Sequence, residues 1–401
     1  MAEDEYDRRP LDGVLEAGPP ANPLNFPPPK YDRGRRAERV LVNCPVSDEI
    51  LEARNVLFLV TGTGRNDEDL LQNVDTAYWK VPDKKRIKIH FGYIEICHVL
   101  KRCQDDNSSS DSDSDSDSYS DASDEKDITF ELTDGIVAVK SHSWNLVRQW
   151  HGRHAENPLN EISAMQLLGS NHPNVMGCHE VLFDGEFLNV IMPYCNGGDL
   201  LQRMSTHKHI NPKANGLSER EARFWFKQLL DGISHFQKNG ICHRDLSPEN
   251  IMIDEQSRSL IIDMGMCLRI PYSDPFSNDP DAVTSAEKGE SRRLLSPQQP
   301  CGKLRYMCPE IFMNKDPFDG FAVDMWTAGT ILLFMLTGTA YKQPFDPFFK
   351  CITKDLPRLL REFKIPISPL ACHLIQNLLL IDPRMRITLE EALEHPWFDA
   401  I

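Results

Sequence analysis

The apolar residues of this chain follow two spacings, one typical of strands and one typical of helices. Leu51–Val60 contains an apolar run of strand length, and Ile136–Lys140 has the pattern of a buried β-branched strand. Ser218–Glu221 has the sequence of a capping box, and the apolar residues after it recur at helical spacing. Phe321–Leu336 is strongly apolar, which predicts a helix buried in a helical lobe. From Ile128 onward the pattern is that of a globular domain.

Two polar stretches differ from this pattern. Residues 1–45 are rich in proline and charge, and we expect the N-terminal extension, residues 1–82, to be largely disordered. Whether residues 46–82 fold onto the rest of the chain is left open. Residues 104–127 form an acidic serine tract with almost no apolar side chains. Burial cannot offset the ordering entropy of such a tract, so a disordered insert is expected.

Both stretches contain short patterns with a functional and a plain interpretation. In the acidic tract Ser112 precedes Asp115 by three positions, which suits phosphorylation by an acid-directed kinase. A passive solvated insert is an equally good interpretation. Thr61–Gly64 holds a Gly-x-Gly, but a tight turn is favoured over a phosphate loop because Lys140, the lysine it would serve, lies far downstream in the sequence.

Charge and cysteine content restrict the partners and the compartment. The formal net charge is −16, which argues against a nucleic-acid partner because such a protein needs a basic face. The 11 cysteines form no CxxC pair and fit free thiols in a reducing compartment. The acidic start of the chain has the wrong charge for a signal or transit peptide, and runs such as Thr330–Leu336 are short of a membrane span. We expect a cytoplasmic or nuclear protein with no membrane partner, although Arg33–Arg36 is too short to support nuclear import.

One stretch has the layout of a phosphoryl-transfer site. His243–Asn250 reads HRDLSPEN, and Asp263, further along the chain, starts an Asp-Met-Gly. Asp245 can accept a hydroxyl proton, whereas Asn250 and Asp263 can hold magnesium. On these residues and their spacing the chain resembles a eukaryotic protein kinase of the Ser/Thr type, from the calcium/calmodulin-kinase-like or a related group.

The resemblance extends over about residues 83–399. Gly302–Glu310 resembles the end of an activation segment, Asp324–Gly329 the central helix of the large lobe, and His395–Phe398 the end of the fold. Glu310 is expected to be buried, with Arg386 as its cationic partner.

The resemblance implies an α+β, two-lobed protein-kinase fold. Residues 83–194 are expected to form a small antiparallel β lobe with one helix, containing the insert 104–127. Residues 195–399 are expected to form a larger, mainly helical lobe.

The resemblance also implies ATP and Mg²⁺ as cofactors. Lys140 would contact the ATP phosphates and Glu161 would be its ion-pair partner; the plain alternative is an unrelated surface lysine and glutamate. Cys195 would line the adenine site, and Asp199 would accept from the ribose or from a substrate arginine. The glycine-rich loop is degraded, since its best match, residues 87–94, keeps only Gly92.

Two residues at the catalytic loop depart from the family pattern in a paired way. Ser247 stands where the family usually has lysine, and Lys303 stands where it usually has threonine or serine. We hypothesise an exchange in which Lys303 lies beside Ser247 and supplies the ammonium at Asp245. The change weakens the Ser/Thr assignment, although Tyr306–Glu310 still favours it.

The activation segment is long, and its ordering has two explanations. It runs from Asp263 to Glu310, and Gln299 stands where a phosphothreonine is often found. Ser291 or Ser296 would then take the phosphate from an upstream kinase. Alternatively, the segment orders itself without phosphate.

The predicted function is an ATP-dependent protein serine/threonine kinase. Its substrate would be a protein, and acids at Glu249 and Asp199 suggest basic residues near the acceptor. The alternative is a pseudokinase or nucleotide-binding scaffold, supported by the degraded glycine loop and opposed by the intact metal ligands Asn250 and Asp263. An adaptor role for the proline-rich and acidic stretches is compatible with the first interpretation.

Overall fold

The described residues fall into two compact units. The structure is a computed structural model that describes residues 19–62, 67–103, 129–210, 216–338, 356–362 and 364–399. The strand unit comprises the described parts of Lys30–Gln149 and Cys178–Tyr194. The helical unit comprises the described parts of Met1–Pro29, Trp150–Gly177 and Cys195–Ile401. The acidic tract 104–127 therefore lies outside the described residues.

The strand unit is a mainly antiparallel sheet with short helices. Its elements in chain order are β1 (Asp32–Cys44), β2 (Glu49–Leu59), α1 (Asp67–Leu71), β3 (Thr76–Lys80), β4 (Ile87–Ile89), β5 (Gly92–Arg102), β6 (Thr129–Ser143), α2 (Trp144–Trp150, which ends at the unit boundary), β7 (Glu180–Phe183) and β8 (Phe187–Pro193).

The sheet closes on itself through long-range pairings. Its strand order is β3-β2-β1-β7-β8-β6-β5-β4, with additional pairings of β3 with β5 and of β1 with β6. The ring β1-β2-β3-β5-β6 encloses a core to which Val42, Ala53, Phe58, Leu100 and Phe130 each contribute a side chain with 0% exposure. Closure removes sheet edges, which would otherwise present unpaired backbone groups.

This ring corrects the prediction for the N-terminal extension. Residues 32–44, expected to be disordered, form β1, and residues 49–59 and 76–80 fold with it as β2 and β3. The folded small domain therefore begins at Lys30 and not at residue 83. The buried positions of β1 are few, namely Gly34, Ala37, Val40 and Val42, and only the last two are spaced by the two residues of a regular strand. Neither the composition nor the periodicity of this stretch therefore marked it as a strand.

The helical unit contains most of the helices. They are α3 (Pro158–Leu168), α4 (Leu200–Ile210), α5 (Glu219–Lys238), α6 (Pro309–Met313), α7 (Gly320–Thr337), α8 (Pro369–Leu378) and α9 (Leu389–Leu393), with a further helical stretch at 356–362. Short strands form three two-stranded sheets: β9 (Ile241–Cys242) with β12 (Leu268–Arg269), β10 (Ile251–Ile253) with β11 (Ser259–Ile261), and β13 (Tyr272–Ser273) with β14 (Val283–Thr284).

The two units confirm the α+β class and the two-part fold. The boundary predicted at residues 194 and 195 is also a boundary between the units. The helix expected in the small lobe is α3, and it groups with the helical unit.

Local sequence signals account for the central helices. The capping box at Ser218 and Glu221 opens α5, and Gly240, with a left-handed φ of 64°, follows its end. Helix α7 is long and apolar enough to cross a membrane, but 94% of this stretch is buried inside the helical unit. Its composition is therefore that of a core helix.

An internal ion pair joins α6 to the loop before α9. Arg386, whose side chain is fully buried, contacts Glu310 through Nη1 at 2.6 Å and Nη2 at 3.2 Å. The same guanidinium donates to the carbonyls of Ala322 and Leu380 and lies 4.9 Å from the ring centroid of Trp326. The predicted pairing of Glu310 with Arg386 is confirmed.

Candidate active site

A carboxylate of α7 holds the loop that contains the HRD sequence, His243–Asp245. Asp324 accepts hydrogen bonds from the backbone N–H of His243 at 2.7 Å and of Arg244 at 2.9 Å. Arg244 has a left-handed φ of 67°, a backbone strain that these two hydrogen bonds help to sustain. Burial raises the pKa of Asp324 to about 7, and the two N–H donors oppose that rise.

His243 links this loop to the Asp263 loop. Its Nε2 lies 3.0 Å from the carbonyl of Ile262, and its Nδ1 accepts the backbone N–H of Asp245 at 3.3 Å. Burial lowers the pKa of His243 to about 4. The ring is therefore neutral at physiological pH, with the proton on Nε2, and acts as a spacer between the two loops.

Asp245 and Asn250 form one hydrogen-bonded pair. The amide Nδ2 of Asn250 donates to the backbone carbonyl of Asp245 at 2.8 Å and to Asp245 Oδ2 at 3.2 Å. Oδ1 of Asp245 accepts the backbone N–H of Lys303 at 3.2 Å. Since the Asn250 nitrogen faces Asp245, its Oδ1 points away. This oxygen accepts one long hydrogen bond from Lys303 Nζ at 3.4 Å and keeps a second lone pair for a metal ion.

The electrostatics of Asp245 suit a base that works near neutral pH. Burial raises the pKa of Asp245 to about 6, and the neighbouring Asp263 charge adds to the rise. The charge of Lys303 and its backbone N–H act in the opposite direction. The carboxylate is thus ionised at pH 7 but remains a stronger base than an exposed aspartate.

Asp263 has the features of a metal ligand. It has a left-handed φ of 66°, and its carboxylate makes no hydrogen bond or ion pair with any residue that the structure describes. One carboxylate and one amide oxygen form the sparse oxygen set with which proteins hold Mg²⁺ together with phosphate oxygens. Asp263 and Asn250 therefore fit the predicted metal, although their role stays a prediction. Met264, in the position after Asp263, is buried.

Lys303 lies beside Ser247, as the exchange hypothesis predicts. Its Nζ donates to Ser247 Oγ at 2.6 Å and lies 3.4 Å from Asn250 Oδ1 and 3.8 Å from Glu249 Oε2. Ser247 is fully buried, whereas the Lys303 side chain is 38% exposed. Gly302 has a left-handed φ of 90°, and a Cβ added at this residue would lie 2.9 Å from the carbonyl oxygen of Arg244. The backbone at Gly302 therefore runs close to the catalytic loop. The ammonium therefore stands at the catalytic loop although position 247 lacks one.

Cys195 and Asp199 lie where the last segment of the helical unit begins. Cys195 is buried, and burial raises the pKa of its thiol to about 11, so it is a neutral, apolar side chain at pH 7. Asp199 Oδ1 accepts the backbone N–H of Gln202 at 2.7 Å and thereby caps α4. That cap is a structural reason for an acid at 199, and its contact with a ribose or a substrate stays a prediction.

The predicted phosphate lysine and its partner belong to different units. Lys140 is buried on β6 of the strand unit, paired with Ile94 of β5 and Val190 of β8. Glu161 is buried in the first turn of α3 in the helical unit. A strand with neighbours on both sides holds the lysine stem firmly, and their ion pair stays a prediction.

Gly92 has a packing reason that the sequence did not reveal. The degraded glycine loop is a tight hairpin of β4 and β5, in which Ile89 pairs with Gly92. A Cβ at Gly92 would lie only 1.9 Å from the Ser141 carbonyl oxygen of β6. Glycine is thus required for close approach of two strands, and a nucleotide contact at Gly92 stays a prediction.

Helix α3 is fixed to the Asp263 loop within the helical unit. The side chain of Asn157 caps α3, and its backbone N–H donates to the carbonyl of Gly265 at 3.0 Å. This link, which sets the position of Glu161 relative to Asp263, was missed by sequence reasoning. The Asn-Pro that opens α3 was the available signal, because a cap followed by proline fixes where a helix begins.

Asp324 is the second residue that sequence reasoning left without a role. Its place in the Asp-Met-Trp-Thr-Ala-Gly motif was noted, but its hydrogen bonds to the catalytic loop join residues 80 and 81 positions apart. An acid in an otherwise apolar helix was the signal, since a buried carboxylate needs donors.

Sequence comparisons with known proteins identify the family of this chain. The profile of the protein kinase domain family matches residues 127–398, which include Asp245, Asn250, Asp263 and Lys303. The start of the match leaves out β1 to β5 of the strand unit.

Curated relatives share about a third of their aligned residues with this chain. Sperm motility kinase 3A of Mus musculus is 34% identical over 241 residues, which cover 59% of this chain and 41% of that protein. Serine/threonine-protein kinase SRK2I of Arabidopsis thaliana is 32% identical over 274 residues, 67% of this chain and 66% of that protein. CBL-interacting protein kinase 16 of Oryza sativa subsp. japonica is 30% identical over 270 residues, 65% of this chain and 50% of that protein. The chain thus spans about two fifths of the length of the sperm motility kinase.

Proposed function

The chain belongs to the protein kinase domain family, and we propose that it is an ATP-dependent protein serine/threonine kinase. The reaction is transfer of the ATP γ-phosphoryl group to a hydroxyl of a protein substrate. The observation that carries the proposal is the cluster of Asp245, Asn250 and Lys303, in which a base, a metal ligand and a cation share hydrogen bonds.

Asp245 is the proposed base. Its Oδ1 is held by the Lys303 backbone and its Oδ2 by the Asn250 amide, so the carboxylate is fixed in one orientation. With a pKa of about 6 it can accept the proton of the acceptor hydroxyl at pH 7.

Lys303 is the proposed cation for the charge that develops on the transferred group. Its Nζ is anchored by Ser247 Oγ at 2.6 Å, and its partial exposure leaves the remaining donors able to face a substrate. Lys140 would orient the nonreacting phosphates, with Glu161 as its counter-charge.

Asn250 and Asp263 are the proposed ligands of Mg²⁺. Bound magnesium neutralises charge on the phosphate oxygens. The protein contributes one amide oxygen turned away from Asp245 and one carboxylate with no hydrogen-bond partner among the described residues. The charges of Asp263 and Asp245 repel each other, which is unfavourable unless a metal ion is bound. A scaffold that transfers no phosphate would have no reason to keep both carboxylates.

The test is transfer of labelled phosphate from ATP with magnesium to a mixed panel of Ser/Thr peptides, with and without basic residues before the acceptor. Asp245→Asn is the matched control. Transfer by the unchanged chain that is lost in this variant would support the proposal and rank the acceptors. Absence of transfer, with magnesium-ATP still raising the melting temperature, would support the nucleotide-binding scaffold instead.

A further inference from the structure

An extended segment before the strand unit docks on the activation segment. We define the N-terminal arm as residues 19–27, which belong to the helical unit. Ala21 forms a parallel β-bridge with Leu295. Its N–H donates to the carbonyl of Leu294 at 2.9 Å, and its carbonyl accepts the N–H of Ser296 at 2.9 Å. The arm therefore pairs with the activation segment through one β-bridge.

The activation segment is held from its other side as well. Leu295, which is fully buried, exchanges two backbone hydrogen bonds with Phe318, at 2.8 and 3.0 Å. Ala21, Leu295 and Phe318 thus stand side by side, with the activation segment in the middle. The backbone around Leu295 is thus hydrogen-bonded on both sides, which leaves fewer unpaired groups than an open edge would have.

Arg293 adds a side-chain link to the same contact. The residue is only 2% exposed, and its guanidinium donates to the Pro19 carbonyl from Nε at 3.2 Å and from Nη2 at 2.8 Å. It also donates from Nη1 to the carbonyl of Pro280 at 3.0 Å and to Ser273 Oγ at 3.3 Å. The start of the arm is therefore tied to two parts of the activation segment.

The arm continues to two further elements of the candidate site. Leu24 donates its N–H to the carbonyl of Arg269 at 3.0 Å, and Arg269 Nη1 donates to the Asn25 carbonyl at 2.7 Å. The buried Ser163 of α3 donates from Oγ to the Pro27 carbonyl at 2.7 Å. Arg269 follows the Asp263 loop, and Ser163 lies shortly after Glu161 on α3. The arm therefore contacts the activation segment around Leu295, the chain just after the Asp263 loop, and α3.

Proline content suits this segment to its path. Pro19, Pro20, Pro23 and Pro27 lack N–H groups, while Ala21 and Leu24 keep theirs and use them in the contacts above. Proline also restricts the backbone to extended conformations, which lowers the entropy lost when the arm docks.

Arginines in and near the activation segment bind protein oxygens. Arg244, which precedes the catalytic Asp245, donates from Nη2 to the backbone carbonyl of Gln299 at 2.9 Å, whereas its buried Nε has no hydrogen-bond partner among the described residues. Arg292 pairs with Asp319 through Nε at 3.2 Å and Nη2 at 2.9 Å. Three arginines thus bind the activation segment or its neighbours through protein oxygens, since Arg293 does the same with Pro19.

We infer that the N-terminal arm is a built-in positioning element that holds the activation segment ordered in place of a phosphate group. The inference rests on the proposed kinase function and extends it to regulation. The arm orders three elements together. It orders the activation segment through main-chain pairing at Leu295, the Asp263 loop through Arg269, and α3 through Ser163. Activity then requires the arm and not phosphorylation of Ser291 or Ser296.

The test compares full-length variants that differ in one backbone donor. Ala21→Pro with Leu24→Pro removes both N–H donors of the arm. Asn22→Pro is the matched control, because Asn22 is exposed and its N–H makes no hydrogen bond to a described residue. Each protein is treated with phosphatase and checked by mass spectrometry. Peptide phosphorylation, the thermal midpoint and amide exchange at Ser296 are then measured.

We expect the double variant to lose at least tenfold in kcat and to exchange the Ser296 amide at least tenfold faster, with Asn22→Pro unchanged. Ser163→Ala, which removes one hydroxyl, should give a smaller loss in the same direction and is available if the double variant misfolds. Full activity of the double variant, an unchanged Ser296 exchange rate, or an unaltered chain that is active only when phosphorylated would overturn the inference. Inactivity of the unaltered chain on every peptide, phosphorylated or not, would instead refute the proposed kinase function.

Discussion

Replacing Lys303 by methionine tests the central feature of the candidate site. The change keeps the length of the side chain but removes the ammonium that lies 2.6 Å from Ser247 Oγ. Two effects are expected, one on the size of kcat and one on its pH dependence.

The effect on kcat follows from the loss of a positioned cation. Removing one preorganised group that meets transition-state charge costs about 10²–10³ in rate, or about 3–4 kcal/mol. The 38% exposure of Lys303 allows some solvent screening, so the lower end, about 10²-fold, is expected.

The effect on pH dependence follows from the pKa of Asp245. Asp245 must be ionised to act as a base, so kcat falls as the pH drops through its pKa of about 6. The charge of Lys303 lowers that pKa. Without the charge the pKa rises, and the acid limb of the profile should move to higher pH by about one unit, the small end of the effect of a nearby opposite charge.

The assay is kcat for peptide phosphorylation between about pH 5 and 9, a range that brackets the pKa near 6. Lys288→Met is the control, because Lys288 is an exposed lysine of the same segment. A reciprocal variant, Ser247→Lys with Lys303→Thr, should recover part of the lost rate. If Lys303→Met loses no more activity than Lys288→Met and its acid limb does not move, the exchange reasoning is wrong.

Three further variants test the fold and the metal site. Arg386→Met should lower the free energy of unfolding by about 3–5 kcal/mol in denaturant titration, because it leaves Glu310, whose side chain is only 12% exposed, without its cation; a loss below about 1 kcal/mol would contradict this. Gly92→Ala should lower stability by about 1–3 kcal/mol, since its Cβ would lie 1.9 Å from the Ser141 carbonyl oxygen, and an unchanged melting curve would show that the strands can move apart. Asp263→Asn should raise the magnesium concentration needed for half-maximal transfer at least tenfold, and an unchanged titration would remove Asp263 from the metal site.

The candidate active site was largely predictable because its residues are close in sequence or belong to local motifs. Asp245, Ser247 and Asn250 belong to one short loop, and a one-turn helix at Pro248–Asn250 folds them onto one another. The position of Lys303 beside Ser247 followed from the family resemblance. Its hydrogen bond at 2.6 Å joins residues 56 positions apart, which no local pattern could give.

The closed sheet was not predictable in the same way. Asp32–Cys44 reads DRGRRAERVLVNC, and its charge suggests a solvated stretch. Its buried residues become apparent only when β1 pairs with β2, β6 and β7. The parallel pair of β1 and β6 joins Leu41 to Thr129 across the acidic tract, and sequence periodicity carries no information on such distant partners.

The docking of the N-terminal arm could not be predicted for a different reason. Proline-rich composition led to a prediction of disorder, because docked extended segments and disordered segments share that composition. What decides between them is the set of acceptors and donors at Leu294, Ser296 and Arg269. These residues belong to a distant part of the chain, so the composition of the arm itself could not reveal them.

The pairing of β6 has a practical consequence for work on this protein. A fragment cut where the family match begins would start at residue 127. Such a fragment would keep β6 but lose both β5, which pairs with it from Gly92 to Arg102, and β1. The strand that bears Lys140 would then be a bare edge, free to add to the same strand of a second molecule. The strand unit as a whole begins at Lys30, so the start of the family match and the start of the folded unit lie far apart in the sequence.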